Sequence, residues 1–285
     1  MQWEGREESK NVEDRRGMGM GKPALAVGGL GGAIIVILGL IFGVDIQKFL
    51  GQGPGGEQPP GQTDPSEDKL GHFAKVIFGD TERIWDEQFK KMDPPRRYEK
   101  PKLVIFSEST NTGCGAADAG IGPFYCPADS SVYIDLSFYH VLEDKLGSPG
   151  EFARAYVLAH EVGHHVQRLL GYSARVDNAR RTGSKAEANR MSVRLELQAD
   201  YLAGVWAHHA QEKYKFLDRK DLEDAENAAY HIGDDYLQKQ ARGRVQPDSF
   251  THGTSKQRQK WFLKGFQTGD VKAAAELFEL PYGDL

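Results

Sequence analysis

The sequence predicts an α+β domain that is mostly helical, with a small sheet ahead of its central helix. Three observations carry that expectation. Apolar residues recur at three- and four-residue spacing over most of residues 69–279. Only two short runs, 102–107 and 131–138, read as strands. A long uncharged stretch at 24–44 stands apart from both patterns.

The N-terminal third is the least globular part. Residues 1–23 are polar and of mixed charge, with no apolar period, and read as a disordered tail. Residues 24–44, ALAVGGLGGAIIVILGLIFGV, are apolar all round and long enough to cross a hydrocarbon core as one transmembrane helix. No A-x-A-like cleavage site follows, so an uncleaved span is expected. Arg15, Arg16 and Lys22 precede it. Positive charge stays inside, which predicts a cytoplasmic N-terminus and a periplasmic or extracellular catalytic domain. Residues 45–68, rich in Gly, Pro and Gln, read as a flexible linker, leaving 69–285 as one domain. A net charge of −5 and the lack of a basic stripe give no reason to expect a nucleic-acid partner.

Within 69–285, Phe73, Val76, Ile77, Ile84, Trp85 and Phe89 set a helix over 69–92, ended by Pro94-Pro95. KLVIFS and SVYIDLSF are the two strands. Helices follow over 149–170, 185–215, 219–241, 255–266 and 270–279. Cys114 and Cys126 form no CxxC pair, so a zinc finger is not expected. Either they are two reduced thiols or they close a Gly-rich loop as a disulfide. The expected extracytoplasmic location favours the disulfide.

The helix over 149–170 contains HEVGH. His160 and His164, four residues apart, share one face, where two imidazoles can converge on one Zn2+ ion. Glu161 lies beside them, placed to act on a metal-activated water as general base. Gly163 sits inside the motif, where a side chain would crowd the metal or a neighbouring strand. An HExxHxxGxxH pattern fails, because Gln167 and Leu170 hold its last two positions. A third ligand must come from elsewhere. Glu196 and Asp200, in RLELQADYLAG, are four apart on a later helix: Glu196 completes a His2Glu set, and Asp200 accepts the outer N–H of a ligating histidine. His208, His209 and Glu187 compete for the third place, and His165 points elsewhere.

HEVGHHVQ followed by LELQADYLAG resembles the bacterial putative neutral zinc metallopeptidase family. The likeness extends over GCGAADAGIGPFYCPADSSVYIDLSF, AAYHIGDDYLQ and FTHGTSKQRQKWF, and so over nearly all of 69–285. It implies a zincin-like metallopeptidase domain acting on a peptide or protein substrate, with His160, His164 and Glu196 as ligands and Glu161 as base. The developing oxyanion needs a donor, for which His231 and His252 are candidates, with Tyr201 and Tyr230 behind them. In similar peptidases an edge strand pairs with substrate, a role that would fall to SVYID. The rival reading is a non-catalytic zinc-stabilised, membrane-anchored binding or assembly module. Such a module would close the metal with a fourth protein ligand.

Overall fold

Helix α1 (Pro65–Lys90) buries the six apolar residues whose spacing predicts it, Phe73, Val76, Ile77, Ile84, Trp85 and Phe89. It belongs to a computed structural model that describes residues 1–17 and 65–285. A four-stranded sheet follows, in the order β1 (Val12–Asp14), β2 (Lys102–Phe106), β6 (Ser131–Asp135), β5 (Phe124–Cys126). β1, β2 and β6 are mutually parallel, and β5 runs antiparallel to β6. Strand alternation divides the faces. Leu103, Ile105, Val132 and Ile134 join the helical core, whereas Val104, Phe106, Tyr133 and Cys126 form a satellite cluster on the other side. β3 (Ser109–Thr112) and β4 (Gly115–Asp118) make a separate hairpin. A disulfide between Cys114 and Cys126 ties that hairpin's turn to the end of β5.

The first residues overturn two expectations. They are no disordered tail: Val12 pairs with Leu103 and Asp14 with Ile105. Trp3 is buried against Phe73, and its Nε1–H donates to Glu151 at 2.9 Å. A chain that crossed a membrane once between residues 17 and 65 would put these partners on opposite sides. The single-pass arrangement with its N-terminus inside and its domain outside is therefore corrected. Among the described residues no helix is long and apolar enough to cross a membrane. The expected span at 24–44 and most of the linker lie outside the described residues.

The strand expected over 131–138 ends at Asp135, whose carboxylate accepts the N–H of Ser137 and of Glu108, and α2 (Phe138–Asp144) begins directly. SVYID is not an edge strand. It lies between β2 and β5 with all five residues buried, and β5 takes the edge. The remaining helices are α3 (Glu151–Leu170), α4 (Tyr172–Thr182), α5 (Lys185–Tyr214), α6 (Arg219–His231), α7 (Asp234–Arg242) and α8 (Ser255–Thr268). The helix expected over 219–241 breaks at Ile232 and Gly233, where a Cβ on Gly233 would come within 2.3 Å of the Ser255 nitrogen. The stretch expected as a final helix is a 3-10 turn, Lys272–Phe278.

α3 runs through the middle of the helical layer, packed on α1, α5 and α6, while α5 also packs along α8. Two close approaches set these crossings. A Cβ on Gly163 would meet the Ala199 carbonyl oxygen at 3.0 Å, so Gly163 makes room for α5 rather than for a metal or a strand. Gly204 and Gly265 face the opposite backbones across α5 and α8 so tightly that an added Cβ would lie 2.1 Å from Phe262 O or 2.0 Å from Tyr201 O.

Candidate metal centre

The Gly163–Ala199 contact brings the middle of α3 against the α5 turn carrying Glu196 and Asp200. Glu196 Oε2 lies 3.2 Å from His160 Nε2 and 3.6 Å from His164 Nε2. One ligand atom from each of these three residues lies within 4.8 Å of the others, a group able to hold a metal ion. The two rings stand edge to face, 4.8 Å apart at their centroids.

The other nitrogen of each ring is already engaged. His160 Nδ1–H donates to Asp200 Oδ1 at 2.8 Å, and His164 Nδ1–H donates to Gln167 Oε1 at 2.9 Å. Gln167 is held in turn, its Nε2 donating to the Leu195 carbonyl at 2.6 Å. Both rings are thus turned so that Nε2 faces the shared carboxylate. Asp200 Oδ1 also accepts the Tyr156 hydroxyl, and Arg258 grips both oxygens of Asp200.

Charge follows the geometry. Burial alone would push the His160 imidazole down, but Asp200 and then Glu196 outweigh it and hold it up at about 10. Burial would likewise raise the Glu196 carboxyl, yet His164, His252 and His160 keep it well below the usual range. Against its own burial, Asp200 is held at about 2 by Arg258 and His160. Without a cation, an imidazolium bridges Asp200 and Glu196. A metal must displace that proton, which makes binding pH-dependent.

Glu161 is buried and takes no part in the three-residue group. Burial pushes its carboxyl up, against the pull of His160 and His164. The backbone of Tyr125, on edge strand β5, also pulls it down.

Residues 1–277 match the family described as putative neutral zinc metallopeptidase. The chain belongs to that family. It is 51% identical over 279 residues to the uncharacterized protein YpfJ of Escherichia coli K12, spanning 95% of this chain and 96% of the relative. It is 47% identical over 183 residues to the uncharacterized protein Mb2605 of Mycobacterium bovis, 61% of each chain. No solved structure matches. The matched residues include the docked N-terminal segment.

Within this family fold, the other site candidates separate. His252 is coupled electrostatically to Glu196. Its Nδ1 meets Asp234 Oδ1 at 3.1 Å, and the other Asp234 oxygen takes the N–H groups of Thr251, His252 and Gly253. Burial would lower the His252 imidazole, but Asp234 and Glu196 raise it. His231 is not brought into the group. Its Nδ1 faces Ser148 Oγ at 3.2 Å, and its ring packs on Tyr230 and Tyr236. The Tyr201 hydroxyl is taken up by the Asp270 carbonyl. Glu187 caps α5 through Ser184, and His165 bridges the Tyr125 hydroxyl and the Glu99 carbonyl.

Sequence reasoning passed over Tyr156, Gln167, Asp234 and Arg258. Arg258 did carry a signal: it shares the buried stripe of α8 with Ser255, Trp261, Phe262 and Gly265, and an arginine on an apolar stripe needs a buried acid.

Proposed function

We propose that the chain is a zinc-dependent endopeptidase that hydrolyses peptide bonds with Glu161 as general base. The observation that carries this reading is the convergence of Glu196 Oε2 on the Nε2 atoms of His160 and His164, with a separate buried carboxylate, Glu161, beside them. Two imidazoles and one carboxylate suit Zn2+, and three protein ligands leave a coordination position open. Both cysteines are in a disulfide, so no thiolate is at hand to close the site as a structural zinc centre.

His160, His164 and Glu196 would hold a zinc ion, which when bound would supply Lewis acidity toward a scissile carbonyl and an attacking water. Glu161 accepts the proton from the attacking water at its carboxylate and returns it to the leaving nitrogen. Its raised pKa suits both halves of that transfer. His252, whose cationic form Asp234 favours, donates to the oxyanion. Asp200 and Gln167 fix the ring orientations through the Nδ1 atoms. Among the described residues β5 pairs only with β6, so its free edge, next to Glu161, receives the substrate as an added strand.

The test compares cleavage of an unstructured protein such as casein by the wild type and by Glu161→Gln at equal zinc content. The proposal expects a loss of at least ~1000-fold with zinc retained. Equal cleavage by both proteins sinks the mechanism.

A further inference from the structure

A second group with the same donor chemistry lies farther along α5. His208, His209 and Glu212 also bring three ligand atoms within 4.8 Å of one another. Twelve residues of helix separate His208 from Glu196, about 18 Å along the axis, so the two groups are distinct sites.

The hydrogen bonds of the two rings decide what this group is built for. His208 Nδ1 lies 2.7 Å from the Phe266 carbonyl oxygen, and His209 Nε2 lies 2.9 Å from the Gly269 carbonyl oxygen. A carbonyl only accepts, so both of those nitrogens carry hydrogen. The remaining nitrogen of each ring then faces Glu212: His208 Nε2 is 3.5 Å from Oε1, and His209 Nδ1 is 3.1 Å from Oε2. A proton on either nitrogen would make it an ion pair with Glu212, whereas in neutral rings lone pairs face the carboxylate, an arrangement that a shared metal cation converts into coordination. The outer N–H of a metal-ligating histidine is commonly given to a carbonyl in this way.

The rings are also held in place. Gly269, at the left-handed C-cap of α8, passes so close that a Cβ there would lie 2.4 Å from His208 Cδ2. His208 and His209 are partly covered, and Glu212 is 65% exposed, so an ion can enter from solvent.

We propose that His208 Nε2, His209 Nδ1 and the Glu212 carboxylate form a second site for a transition-metal dication of the zinc type. All three ligands come from α5, and the two rings are already fixed by their bonds to the Phe266 and Gly269 carbonyls. Two imidazoles and one carboxylate favour Zn2+ over the oxygen-seeking Mg2+ or Ca2+.

The test is a count of ions, with no step that relies on cleavage. The full chain is stripped with a chelator, titrated with Zn2+ by calorimetry and checked by Co2+ absorption. The wild type takes two equivalents, Glu212→Gln and His209→Gln take one, and a His160→Gln/His164→Gln double variant also takes one. In that double variant Zn2+ still raises the melting temperature, and adding Glu212→Gln abolishes the rise. Glu212 is exposed, so its variant folds even if the His209 variant does not. No uptake of Zn2+ by the His160→Gln/His164→Gln double variant, or an unchanged count in Glu212→Gln, overturns the proposal while leaving the peptidase reading to its own assay.

Discussion

Arg258 closes a two-pronged ion pair on Asp200, with Nε 2.8 Å from Oδ2 and Nη2 2.9 Å from Oδ1, and both side chains are buried. Oδ1 is also the acceptor for His160 Nδ1 and for the Tyr156 hydroxyl. The guanidinium therefore balances the charge that orients one metal-facing imidazole. Arg258→Met strands that carboxylate, and the metal-free protein should lose about 3–5 kcal/mol in urea unfolding. Arg258→Lys should recover only part, because an ammonium cannot span both oxygens. A loss below about 1 kcal/mol for Arg258→Met would show that Asp200 does not depend on it.

Gln167 does for His164 what Asp200 does for His160. Gln167→Ala and Asp200→Asn should each weaken Zn2+ binding by ~10–100-fold, read by competition with a chromophoric chelator. Gln167→Glu should retain affinity, since it keeps an acceptor for Nδ1–H. Unchanged affinity in Gln167→Ala would leave His164 oriented by packing alone.

Asp234 should set the alkaline limb of the activity profile. In the folded chain the His252 imidazole is raised above its ordinary value by Asp234 and Glu196, against its burial. Its cationic form, and any donation that depends on it, persists until pH rises through that elevated value. Asp234→Asn removes the larger support, so the limb should move to lower pH, with kcat falling more than KM. A limb that stays in place excludes His252 as the donor.

His165 predicts a loss of stability in mild acid. Burial pushes its imidazole down to about 4, although the Glu99 carbonyl opposes this. The folded chain keeps the ring neutral while the unfolded chain protonates near its ordinary value of ~6.5. Stability is then full above ~6.5 and is lost as pH falls toward the folded value, by up to about 3 kcal/mol. His165→Gln should flatten the difference between pH 6.5 and 4 in chelator-treated protein. An undiminished slope refutes the assignment.

The helices were legible where one face is continuously apolar, as in α1 with Phe73 to Phe89, and where a motif sits mid-helix, as with His160 to His164. Glu196 and Asp200 were legible because two acids four apart among buried leucines and alanines need a purpose. β1 was hidden: a three-residue polar strand, Val12–Asp14, carries no period, and only a partner some ninety positions later makes it a strand. The break at Ile232–Gly233 was hidden too, because it answers to Ser255 on another helix. Asp234 and Arg258 gain their roles only through contacts across elements, which spacing along one chain cannot express. SVYID was read as an edge because β5, the shorter strand that displaces it, looked like loop.

The bond between Cys114 and Cys126 anchors the same short strand whose Tyr125 backbone acts on the Glu161 carboxyl. On the proposed reading, reductant in an assay buffer would leave His160, His164 and Glu196 in place while loosening the strand proposed to receive a peptide. A preparation of that proposed enzyme would take up metal in full yet bind peptide poorly, a fault that metal content alone does not reveal.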